Sequence, residues 1–165
     1  MSTLQARFPS LTLFSDLDWE AVSSEYERDY ADLSFPEYLQ QKAIDGDCPP
    51  YLFELAFYEM AHNELAGAQT PKASKEIILN PTALFLNFEY DVEAMLDEAQ
   101  KGNVTLIEKE HVLTLFIDPE GQVCSLELSN DDLTVLQKLE EGETPSEEEL
   151  KKSERLLEWG VILSP

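Results

Sequence analysis

The spacing of apolar residues changes once along this chain, from every third or fourth position to every second, and that change sets the fold class before any motif is considered. Leu4, Phe8, Leu11 and Phe14 recur at helical spacing, with Pro9 limiting how far one helix can run through them. After Ser15 and Asp16, a candidate cap, Trp19, Val22, Tyr26 and Tyr30 repeat the pattern. Ser34 ahead of Phe35-Pro36-Glu37 reads as a helix start. The hydroxyl can cap free N–H groups, the proline sits where no donor is needed, and Glu37 lies near the positive end of the dipole. That helix is expected to reach about Ile44 and stop at Asp45-Gly46-Asp47. Beyond the extended Cys48-Pro49-Pro50, Tyr51 to Leu65 forms the longest helix of this half. Its apolar face (Leu52, Leu55, Ala56, Phe57, Met60, Ala61) is wide enough for the centre of a small bundle.

The small-residue stretch 66–72 reads as a linker, dividing a helical bundle domain, 1–70, from an α+β domain, 71–165. Past it the period becomes two. Strands are expected over Glu76 to Leu79 and Ala83 to Tyr90, then over Val104 to Glu110, Val112 to Ile117 and Val123 to Leu128. Asp91 caps a short helix toward Gln100, and Asp118-Pro119-Glu120-Gly121 is a turn. Two closing helices are expected, one capped by Ser129 and ending at Gly142, one starting at Pro145-Ser146-Glu147 and stopped by Gly160. The expected fold is therefore α+β: an N-terminal helical bundle, then a small antiparallel sheet with two closing helices.

Charge excludes one class of partner. With 34 acidic against 11 basic residues the formal net charge is −23, and no cluster of cations exceeds the pair Lys151 and Lys152. Binding to duplex nucleic acid depends on Lys and Arg displacing condensed counterions, so such a chain repels a phosphate line. No apolar run has the length of a signal-peptide core or a membrane span, so no membrane partner and a cytoplasmic location are expected. Cys48 and Cys124 lie 76 residues apart without a CxxC. One disulfide is open to them, although free thiols suit a reducing compartment better.

Catalytic constellations are weak. Glu59-Met60-Ala61-His62, with Glu54 a turn earlier, has the E-x-x-H spacing of half a carboxylate-bridged di-metal site. The second copy, Glu108 to His111, lies among strands, where that spacing points the two side chains to opposite faces. Neither is taken as a metal site, and no cofactor is expected. No nucleophile–histidine pattern or glycine-rich phosphate loop is present. Asp45 and Asp47 beside Cys48 disfavour its thiolate. Candidate binding residues are the helix aromatics Tyr51, Phe53 and Phe57, beside Tyr58, which otherwise serve a core. The strand leucines Leu106, Leu113, Leu115, Leu126 and Leu128 are candidates for reading a peptide that adds to an open sheet edge, although Glu108, Lys109 and Glu110 also serve to protect such an edge. The acidic run Glu140-Glu141-Gly142-Glu143 and Glu147-Glu148-Glu149 suits a solvated loop and helix start, or a patch for a basic partner.

Four motifs in order resemble one family. They are Phe35-Pro36-Glu37-Tyr38-Leu39, then Pro50-Tyr51-Leu52-Phe53-Glu54-Leu55-Ala56-Phe57-Tyr58-Glu59, then Leu79-Asn80-Pro81, and finally the segment from Leu126 through Leu133 to Leu139 and Leu156 to Ile162. The order is similar to that of the HvfC-like family, whose N-terminal part carries a DNA-binding label and many of whose members end in a small winged-helix-like part. The resemblance spans nearly the whole chain. It implies a non-catalytic partner subunit of a multinuclear iron enzyme of TIM-barrel type, helping to dock a precursor peptide. A DNA-binding transcription regulator is the alternative that the family label suggests, and a carboxylate-bridged metal enzyme is a third.

Overall fold

In a computed structural model, residues 3–165 are described, and the fold is α+β with two small antiparallel sheets. The residues fall into two compact units, Met1–Met60 with Phe88–Glu110, and Ala61–Asn87 with His111–Pro165.

The first unit opens with α1 (Thr3–Arg7) and α2 (Pro9–Phe14), separated where Pro9 removes a helical donor. The next helix, α3 (Trp19–Asp29), is capped by Asp18, whose carboxylate accepts from the Ala21 amide at 3.1 Å, rather than by Ser15 or Asp16. Ser15 instead donates its hydroxyl back to the Leu11 carbonyl at 3.0 Å, closing α2. The helix α4 (Phe35–Ile44) begins with a complete capping box: Glu37 Oε2 accepts from the Ser34 amide at 2.7 Å, and Ser34 Oγ accepts from the Glu37 amide at 3.4 Å. Phe35 and Tyr38 on its buried face gather the rings of this unit. Phe8, Trp19 and Tyr26 pack on Phe35 with centroids 5.0, 6.2 and 5.4 Å away, and Tyr26 and Tyr30 pack on Tyr38. The long helix α5 (Pro50–Ala66) buries Leu52, Leu55, Ala56, Ala61 and Leu65. Asp91 caps α6 (Val92–Gln100) through the Ala94 amide.

The strands are β1 (Ile78–Leu79), β2 (Leu84–Tyr90), β3 (Glu108–Ile117), β4 (Val123–Leu128) and β5 (Ile162–Leu163). One sheet has the order β2-β3-β4, with β3 antiparallel to β4 and Thr114 opposite Leu126. The two strands expected over 104–117 are one, because nothing at His111 turns the chain. Its first part is not strand at all. Val104 and Leu106 are more than half exposed, and β-forming side chains without a neighbouring face to pack on do not make a strand.

The expected last helix is likewise two, α8 (Glu147–Lys152) and α9 (Glu154–Trp159), broken at Ser153. The apolar Val161 to Leu163 then pairs with β1 as β5, Leu79 opposite Ile162. With α7 (Asn130–Glu140), these elements bury a core of Phe116, Leu128, Val135, Leu136, Leu156, Val161 and Ile162. Gly160 ends α9 in the left-handed region at φ 84°, and a Cβ there would lie 2.7 Å from Pro119 Cδ. No helix among the described residues is long and apolar enough to cross a membrane.

Two polar knots hold the second unit. Asn80, 1% exposed, donates to the Ile117 and Gly160 carbonyls at 2.8 and 2.7 Å. Its carbonyl oxygen accepts from the Thr82 amide and hydroxyl at 2.9 and 2.7 Å. The same Thr82 hydroxyl accepts from the Ile117 amide, so a single carboxamide ties together the ends of β1, β3 and α9. Asp132, fully buried in the first turn of α7, accepts from the Ser129 amide and hydroxyl and from the Arg155 guanidinium. Burial raises the pKa of its carboxyl, but the Arg155 and Ser129 hydrogen bonds outweigh that and hold it below the ordinary range.

Candidate functional site

The aromatic candidates on α5 are half-buried and committed to neighbours. The Tyr51 hydroxyl donates to the Phe14 carbonyl at 3.3 Å, and its ring stands edge-on to Tyr90 at 5.9 Å. Phe53 and Phe57, one turn apart, form an edge-to-face pair at 6.3 Å. Tyr58 donates to Glu93 at 2.9 Å, and burial with the nearby Glu93 charge pushes its phenol well above the usual range.

Two of the three carboxylates of the same helix, Glu54 and Glu59, do structural work that letter spacing did not disclose. Glu54, 1% exposed, accepts from the Glu89 amide at 2.8 Å and the Tyr90 amide at 3.0 Å, so it caps the end of β2. Glu59 accepts from the Ser10 amide at 3.0 Å, satisfying one of the orphan donors at the start of α2. Its carboxyl is pushed up by burial despite that bond, and its second oxygen is buried without a partner. Among the described residues no group of three or more His, Cys, Asp or Glu is placed to hold a metal ion. The signal available in sequence was two glutamates within an otherwise apolar helical stretch, which calls for buried donors nearby.

The thiols are unbonded to each other and half-buried. Cys48 Sγ donates to the Leu39 carbonyl at 3.3 Å, and its pKa is raised by burial first, with Asp47 adding to the effect and Lys42 opposing it.

The strand candidates divide by position. Leu113 and Leu115 are buried on the central strand β3, where their side chains serve the interior. Leu128 belongs to the core of the second unit and Leu126 packs against it. Leu106 lies ahead of β3 on an irregular, solvent-exposed segment. The structure therefore does not gather the five leucines on one surface.

What it does form is a groove of about 350 Å³ in the second unit. Phe85 and Asn87, alternate residues of the outer strand β2, make one wall, and Val112 of β3 also lines the groove. Leu133, Leu136, Gln137 and Glu140, one face of α7, make the other wall. Phe85 is exposed and Leu136 is buried, so the apolar surface runs from solvent into the interior. Sequence reasoning missed this groove, since its two walls lie nearly fifty residues apart.

Positive charge is mostly already paired. Among the described residues, at least seven of the eleven Lys and Arg side chains (Arg28, Lys42, Lys101, Lys109, Lys138, Lys152 and Arg155) lie in ion pairs with carboxylates. No protein-family model matches the chain, and no curated protein matches it.

Proposed function

We propose that this protein is a non-catalytic binding subunit of the cytoplasm, which pairs with a multinuclear iron enzyme of TIM-barrel type and helps position a precursor peptide. The observation that carries the reading is the state of its cations. A chain of net charge −23 with most of its lysines and arginines in ion pairs with carboxylates is poorly suited to collect phosphates, whereas its field steers basic protein segments toward it. The order of motifs from Phe35 to Ile162 supports the same reading through the resemblance to HvfC-like proteins. The outer strands β2 and β4 and the groove beside β2 offer places where a peptide could lie.

The regulator alternative would need a basic recognition helix. Here α8 opens with Glu147, Glu148 and Glu149, and Lys152 is paired with Glu148 at 3.0 Å. Co-expression with the products of adjacent coding frames, followed by affinity purification, is expected to bring down a second chain that carries iron. A low-salt gel shift with duplex DNA is expected to show no complex. Retarded duplex together with failure to recover any second chain would overturn the proposal in favour of the regulator.

A further inference from the structure

The groove between α7 and β2 joins an apolar lining to one exposed carboxylate, Glu140. Val112, Leu133 and the buried Leu136 line it, and Phe85 is exposed. A volume of about 350 Å³ lies at the small end for ligand sites, enough for one or two apolar side chains rather than a cofactor.

The charged lining residue is Glu140, the last residue of α7, and Glu141 follows it in the chain. Carboxylates at a helix C-terminus add to the negative end of the dipole, where cations are the favoured occupants. The Lys138 ammonium is held by Glu149 at 2.6 Å and also feels the Glu143 charge, so, among the described residues, Glu140 is a carboxylate of this segment without a cation of its own. Gln137, on the same face, donates to Glu141 at 2.9 Å, which fixes that carboxylate in place without neutralising it. An apolar groove ending in the Glu140 carboxylate is complementary to an apolar side chain with a cation close by in sequence.

We infer that this groove binds a basic peptide segment, seating one apolar side chain between Phe85 and Leu133 and placing a nearby Lys or Arg against Glu140. The inference rests on the binding-subunit reading and names the peptide class that the subunit would take. Glu140 then acts as the counter-charge of a docked segment.

The test uses the intact chain and fluorescein-labelled 12-residue peptides. In one panel a single Leu, Ile, Phe or Trp stands one to four positions from a Lys pair; in matched panels the Lys pair becomes Glu, or the apolar residue becomes Ser. Fluorescence anisotropy is expected to show salt-sensitive binding for the first panel only. Both Glu140→Lys and Phe85→Ser replace exposed side chains, and each is expected to weaken that binding at least tenfold. Glu27→Lys, an equal charge change on α3, should leave it within about twofold. Circular dichroism checks that all three variants fold. Equal binding of the Glu panel, no binding by any peptide, or binding indifferent to both groove variants would overturn the inference. Recovery of an iron-bearing second chain by the wild-type protein is scored separately: if it persists while peptide binding fails, the groove is wrong and the subunit reading stands.

Discussion

At the scale of single residues, the most consequential side chains are polar groups that the interior has to satisfy. The Asn80 carboxamide uses both its donors and its acceptor, and truncation would strand two buried carbonyls and the Thr82 hydroxyl. Asn80→Ala is expected to destabilise the protein by about 3 kcal/mol, read as a lower urea midpoint at unchanged slope. Glu59 acts in the opposite sense. Burial raises its folded pKa above the unfolded value, so its contribution to stability is fully present at low pH and is lost as pH rises through the folded pKa. Glu59→Gln keeps an acceptor for the Ser10 amide while removing the charge. The variant should melt about 2–4 °C higher than wild type at pH 7, the equivalent of roughly 1 kcal/mol in a domain of this size. The advantage should vanish below about pH 4, where the wild-type carboxyl is protonated. A higher melting point that persists unchanged at acid pH would mean that charge burial is not the cause.

At the scale of elements, starts and stops follow from local chemistry. The capping boxes at Ser34, Ser129 and Ser146 each place an acid three residues on, and each opens a helix in the structure. The stop at Gly160 is different, because two demands meet there. The backbone needs positive φ, and Pro119 leaves no room for a methyl group. Gly160→Ala should therefore cost about 2 kcal/mol, above the value for a left-handed residue in open surroundings. Gly142, also at positive φ but with nothing near its missing Cβ, is the comparison. A Gly142→Ala variant destabilised as strongly would remove the role assigned to Pro119.

At the scale of the whole molecule, the acidic excess opposes compaction as well as choosing partners. Ion pairs such as Lys42 with Glu25 and Asp47 absorb only part of it. Raising NaCl from about 10 mM, where the Debye length is about 30 Å, to about 150 mM, where it is about 8 Å, should raise the melting temperature. The loss of pairwise attraction on screening is smaller than the relief of repulsion among so many like charges. A melting temperature that falls with salt would show instead that the ion pairs dominate.

Helix caps, the change of period and the charge balance were legible in the amino-acid order because each depends on residues within a turn or two of one another. Ser34 with Glu37 and the alternation through Leu84 to Tyr90 are of this kind. The pairing of β1 with β5, the docking of α2 through Glu59 and the groove between Phe85 and Leu133 were not. In each of these the partners are separated by nearly fifty residues or more, and a donor or an apolar side chain does not encode which distant partner it will meet. Local order thus determined the kinds of element and the sign of the surface, and tertiary structure alone decided which buried carboxylate became a cap and which apolar faces stayed open to a ligand.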